Sequence, residues 1–372
     1  GPVTLGNNNT RIGAQDGTTL RIGGAIASGA SVYDLNVRCA DGAAGAVVLS
    51  GANTYLGNTN IITGRLVLDG GDNRLPAAAR MTLGNGANIS TATFDLNGFD
   101  QTVNGLLGQG TSMALTVTNN SATASTLTIQ SGANLDYRGL IGGNLSLVKD
   151  GAGTQTLSGN NTYTGDTTVL GGTLALSGAY TNNIATSPRI ELAAAGVLNV
   201  TGLNSGELVL ASSQTLAGTG TVVGGLVVDG AVAPGHSPGI LNVQDVAFAS
   251  ASTLQIELNG PAVGSEYDRL ASSGAVGLGE GWATLDLLLG FDPSYGQTFT
   301  IVTAAEGVSG WFAGLEDGTI FRADYQGRDY SFGIQYLDNE VVLQAVPEPL
   351  TGLLLLGGLP VLAGRLRRRW QR

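Results

Sequence analysis

One cysteine, one histidine and one lysine occur in 372 residues, and only 12% of the residues carry charge. Cys39 alone cannot close an internal disulfide, so a cystine-stapled fold is excluded and the thiol is either buried or available only to another chain. A single cysteine and a single histidine, His236, cannot assemble a structural or catalytic zinc site. The near absence of lysine, Lys149 being the sole one, removes the Ala/Leu/Glu/Lys/Arg runs that long helices and coiled coils require. Basic residues are scarce as well. Five of the 17 lie after Gly364, which leaves 12 basic against 27 acidic residues before Val346, a net of about −15. Nucleic acid is therefore not an expected partner.

What the chain has in abundance is glycine, 59 residues, roughly twice the usual ~7%. Short runs of Val, Ile, Leu and Thr alternate with Gly and Asn, and 42% of the residues are hydrophobic. That provides apolar surface to bury, against the disorder that a Gly/Ser/Thr/Asn-rich composition otherwise suggests. The expected class is all-β with tight turns.

The chain also repeats itself. A shift of 108 positions places Leu49-Ser50-Gly51-Ala52-Asn53-Thr54-Tyr55 on Leu157-Ser158-Gly159-Asn160-Asn161-Thr162-Tyr163. Both copies continue into a short β run, Ile61 to Leu68 and Val169 to Leu176. One strand–turn–strand unit cannot bury its apolar face alone, so the units are expected to stack as a right-handed parallel β-helix, a solenoid. At about 20 to 25 residues per turn and ~4.8 Å per step, residues 1–245 would form a rod of roughly 50 Å. A hairpin-built sandwich or propeller is the competing architecture.

Residues Gly151 to Gly165 resemble the autotransporter-associated β-strand repeat, also called the passenger-associated transport repeat, and the copy at 45–68 resembles it more weakly. Ala92 to Gly110, and Gly218 onward into Ala233-Pro234-Gly235-His236-Ser237-Pro238-Gly239, resemble the segments between such repeats. The resemblance implies a passenger-like β-helix and no chemistry. From about Ala247 the glycine spacing loosens. All three tryptophans and most phenylalanines follow, so residues 246–345 are expected to form a β-rich cap over the open end of the solenoid.

The last segment, 346–372, carries three parts in order. Pro347-Glu348-Pro349 breaks the preceding strand, Leu350 to Gly364 is an uncharged apolar run, and Arg365, Arg367, Arg368 and Arg369 form a basic cluster. Fifteen helical residues span only about 22 Å, short of the ~30 Å hydrocarbon core, so a short C-terminal transmembrane helix of transient use is expected. The arginines should remain cytoplasmic, leaving everything before Val346 outside. This arrangement resembles the PEP-CTERM sorting signal of Gram-negative bacteria, although Pro360 interrupts the apolar run. The resemblance implies recognition and cleavage by an exosortase, and an exported protein of the cell surface or the exopolysaccharide matrix. The sequence opens at Gly1 with no initiator methionine, so the natural N-terminus is expected to lie upstream or to have been removed. No outer-membrane barrel fits between Val346 and Arg372, so self-translocation is not expected.

Patterns that would carry chemistry are few, and no catalytic, cofactor-binding or metal-ligating residue is assigned. Gly235-His236-Ser237-Pro238-Gly239 satisfies the Gly-x-Ser-x-Gly form, but Pro238 lacks the N–H that an oxyanion hole takes from the residue after serine. Asp69 with Asp72, or Asp95 with Asp100, lie near turns without a calcium-loop pattern. Parallel β-helices also host polysaccharide lyases and hydrolases, for which Asp136 with Arg138 and Asp324 with Arg328 are candidates. A surface adhesin or carbohydrate-binding role would use Tyr55, Tyr163 and Tyr180, although the two matched tyrosines read better as braces within each repeat. The leading expectation is a non-catalytic structural protein without cofactors, its partners an exosortase, exopolysaccharide and, through residues 350–364, the membrane.

Overall fold

Alternation with period two dominates the burial of the chain, and it is the alternation of strands. Leu145–Asp150 and Thr253–Leu258 each bury every second residue. The computed structural model describes residues 1–39, 44–84, 91–110, 114–235 and 237–347. Among these, the chain is all-β, with one 3₁₀ turn at Asn204–Gly206 and no helix long and apolar enough to cross a membrane. The apolar run 350–364, on which the expected terminal helix falls, lies outside the described residues.

The strands gather into sheets of 18, 11, 5 and 2 members. Every strand pairing among the described residues is parallel except three near the C-terminal end, which argues against a hairpin-built sandwich or propeller. Parallel neighbours are separated in sequence by one return of the chain. Ser125 sits beside Leu145, and Leu147 beside Thr167, each pair 20 residues apart. Inward-facing residues therefore form continuous columns, of which Leu208, Leu226, Val246, Val276 and Val308 are one. The buried side chains from Leu5 to Ala345 form one connected apolar interior.

The return length is less uniform than 20 to 25 residues. It shortens to 16 between Thr215 and Ala231, then lengthens to 31 between Thr253 and Thr284. Parallel pairing continues past position 245 as far as Val308–Trp311. Beyond it, Ile320–Tyr325, Arg328–Tyr336 and Glu340–Val346 run antiparallel, the last of them back along Thr298–Ala304. An aromatic cluster fills the space they enclose. Phe299 meets Tyr267, Phe291 and Phe332 edge-on at ring separations of 5.4, 5.9 and 6.3 Å, and Phe321 stacks on Phe332.

Candidate functional surface

The repeated segments build the same corner twice. Asn53 and Asn161 are buried, and each uses its side-chain carbonyl to accept the N–H of a neighbouring return, Ile26 at 2.8 Å and Ile141 at 3.0 Å. Their amides donate back to main-chain carbonyls of Arg74 and Gly159, so both ends of each buried asparagine side chain are paired. Two residues on, Tyr55 and Tyr163 are 1% and 0% exposed, which removes them from any surface ladder of aromatics. Each hydroxyl bonds the threonine four residues later, Thr59 at 2.5 Å and Thr167 at 2.7 Å. Burial pushes both phenols far above their ordinary range. The matched tyrosines are thus braces. Tyr180, by contrast, is 36% exposed.

Glycine in this signature marks close approach between returns. A Cβ at Gly159 would collide with the Gly139 carbonyl oxygen, and one at Gly51 with that of Gly24. Neither backbone can move aside without breaking its own ladder.

Carboxylates near the turns are spent on the backbone. Asp100 donates its N–H to Asp72 at 2.9 Å, and its own carboxylate accepts the Thr126 N–H at 2.7 Å. Asp69 pairs with Arg21 at 3.4 Å. Asp95 is fully buried; burial pushes its carboxyl up, but bonds from Asn120, Arg65 and the Asn97 N–H outweigh that and hold it below the usual carboxylate range. Among the described residues no group of three potential metal ligands converges.

The expected acid–base pairs are not brought together either. Asp136 accepts the Ser158 hydroxyl at 3.1 Å, while Arg138 is exposed and makes no ion pair among the described residues. Asp324 caps the Gly327 N–H, whereas Arg328 lies over the Tyr330 ring at 4.8 Å and reaches Asp292 at 4.0 Å.

His236 lies outside the described residues, but its neighbours are placed. Ser237 takes φ +73°, and the Gly239 N–H donates to Asp268 at 2.7 Å. Asp268 is 2% exposed and also accepts the Glu257 N–H at 2.8 Å, so it clamps the turn onto the next return. Sequence reasoning missed it, since Tyr267-Asp268-Arg269 has no motif around it. Burial pushes its carboxyl up to about 6, against the two backbone N–H groups that lower it and with the Glu257 charge adding to the rise.

The unfolded chain releases that proton near pH 4, and the folded chain only near pH 6. The folded state holds the extra proton between those values, so stability falls as pH rises through the window, by at most roughly 3 kcal/mol. Asp268→Asn should flatten the change in urea midpoint between pH 4 and pH 6.5, and an unaltered slope would remove Asp268 as its source.

Three open grooves lie along the returns between residues 189 and 273, one of them beside the short return from Thr215 to Ala231. They have volumes of about 380, 450 and 510 Å³ and are lined chiefly by Ser, Thr, Ala, Asn and Gln. The first also holds Arg189, Glu257 and Asp268. Cys39 is buried. Of the terminal sorting residues only Pro347 is described. Glu348, Pro349, Arg365, Arg367, Arg368 and Arg369 lie outside the described residues.

The Passenger-associated-transport-repeat family matches residues 44–73 and 147–176, the two segments that carry the Asn–Tyr–Thr corner. The Adhesin BmaC autotransporter of Brucella suis biovar 1 (strain 1330) is similar over 117 residues at 37% identity. That stretch is 31% of this chain and 3% of the adhesin, so the chain spans only a small part of that relative's length.

Proposed function

We propose that this chain is a right-handed parallel β-helix exported to the cell surface, where it serves as a non-catalytic structural element of the envelope or its polysaccharide matrix. The observation that carries the reading is the corner repeated at 53–59 and 161–167 within the family-matched segments. Such a corner spends its side chains on stacking one return upon the next, which is the work of a stiff rod. The carboxylates that a polysaccharide-cleaving site would need are engaged by backbone N–H groups or by distant partners instead. An adhesin is the second reading, favoured by the similarity to an autotransporter adhesin.

The division into a solenoid at 1–245, a β-rich cap at 246–345 and a sorting tail at 346–372 belongs to the same proposal. Aromatic packing around Phe299 and the antiparallel strands support the cap. Pro347-Glu348-Pro349, the apolar run 350–364 and the arginines at 365 and 367–369 support sorting and cleavage by an exosortase.

Mass spectrometry of the protein from its native host, comparing envelope with culture medium, tests the sorting. A C-terminus near Pro349 is the expected result. An intact Arg372 in the envelope fraction would overturn exosortase processing and leave a plain anchor.

A further inference from the structure

Trp282 is the one tryptophan among the described residues that stands open to solvent, at 55% exposure. Its backbone is tied to the return before it, since the Ala251 N–H donates to the Trp282 carbonyl at 3.1 Å. The ladder pairs Thr215 with Ala231, Ala231 with Thr253 and Thr253 with Thr284. Two positions earlier on each strand stand Ser213, Asp229, Ala251 and Trp282, which therefore form one column along a corner of the rod. That column follows the 450 Å³ groove, whose wall includes Ser212, Ser213, Thr215, Asp229, Ser250 and Thr253.

The wall leaves its polar side chains unused by the fold. The side chains of those six residues make no hydrogen bond or ion pair among the described residues. Gln214, directly below, is buried and saturated. It donates to the Ile184 and Ser187 carbonyls and accepts from Asn182 and the Ala211 N–H, so it sets the floor rigidly. The indole is also held in place. Gly279, at φ +68°, lies under the ring so closely that a Cβ there would be 2.7 Å from it. Trp282 stands one return beyond the residues that line the groove, joined to them through Ala251, and a flat apolar ring already oriented on that corner costs little entropy to use.

We propose that this groove binds a neutral polysaccharide chain, with a sugar ring stacked on Trp282 and successive hydroxyls bonded to the serines, threonines and Asp229. The inference rests on the matrix reading above and names its ligand chemistry. Three ladder steps of roughly 4.8 Å give a trough of about 14 Å, room for a short run of sugar rings. No cation lines it and Asp229 is its one carboxylate, so a polyanionic chain meets repulsion there, reinforced by the net charge of −11. A protein partner would need a larger apolar patch than one indole.

Native affinity electrophoresis of the full chain, in gels containing dextran, hydroxyethyl cellulose or laminarin as neutral glycans and alginate as a polyanion, tests this. Retardation by at least one neutral glycan and none by alginate is expected. Trp282→Ala should weaken that binding about tenfold and Trp282→Phe should retain most of it, with the fold retained in both because more than half of the residue is exposed. No retardation by any neutral glycan, preference for alginate, or a Trp282→Ala variant equal to wild type would each overturn the proposal. Co-fractionation with matrix polysaccharide in the native host separates the two failures. If wild type and Trp282→Ala co-fractionate alike, the groove is wrong and the matrix reading stands; if neither co-fractionates, the matrix reading fails as well.

Discussion

Tyr163→Ala should lower stability by about 3–5 kcal/mol, because it opens a ring-sized cavity at a position with no solvent exposure and no room to collapse. The ring lies beneath a corner whose backbone is held by Asn161 and Asn183 on successive returns, so relaxation would cost further ladder bonds. Tyr163→Phe isolates the hydroxyl. It leaves Thr167 still bonded to Ser187 at 2.9 Å, and should cost only about 1 kcal/mol. Tyr55→Phe should cost more, since the Thr59 hydroxyl has no second side-chain partner among the described residues. Urea denaturation followed by far-ultraviolet circular dichroism measures all three. Because stacked units contribute almost additively, loss of a central brace should also split the transition in two. An alanine variant within about 1 kcal/mol of wild type, with a single transition, would show that the ring does not brace this corner.

Lys149→Met should cost about 3 kcal/mol or more, an unusual penalty for deleting a lone charge from an apolar interior. The side chain is fully buried, and its ammonium donates to three carbonyls, Asp150 at 2.7 Å, Gly151 at 2.8 Å and Gly171 at 3.1 Å. Two effects compete. Desolvation of the ammonium is worth several kcal/mol against the fold, while each charge-assisted bond returns about 1.5–3 kcal/mol. Methionine removes the desolvation cost but takes a charge-assisted donor from all three carbonyls, of which Asp150 keeps the Ser131 N–H at 3.2 Å, and the loss at the Gly151 and Gly171 acceptors outweighs the relief.

Linkage supplies a second readout. Burial pushes the Lys149 ammonium below its ordinary range, against the pull of Asp150. The folded chain therefore releases this proton before the unfolded chain does, and stability contributed by this group rises as pH climbs toward the unfolded value of about 10.4. Lys149→Met should lack that rise. If the variant matches wild type in both midpoint and alkaline slope, the three-carbonyl clamp contributes nothing.

The two corners differ in how far they could be read from residues alone. Tyr55 and Tyr163 stand at matched positions of a repeat, four residues before a threonine, and a brace follows from that spacing. Lys149 announces only that it is alone. Its burial requires carbonyls from two different returns, Gly151 and Gly171, whose proximity exists only once the chain has stacked. Asp268 was missed for the same reason, as its two partners lie 11 and 29 residues away.

Composition, alternation and the repeat at a shift of 108 positions were sufficient for an all-β chain of repeated units, because these follow from local geometry: Gly and Asn for tight turns, period two for strands, and a unit too small to bury its own face. Return lengths from 16 to 32 residues, the groove beside the short return and the exposure of Trp282 depend instead on which residues lie one return away. That distance is set by packing between strands far apart in sequence, and no local pattern encodes it.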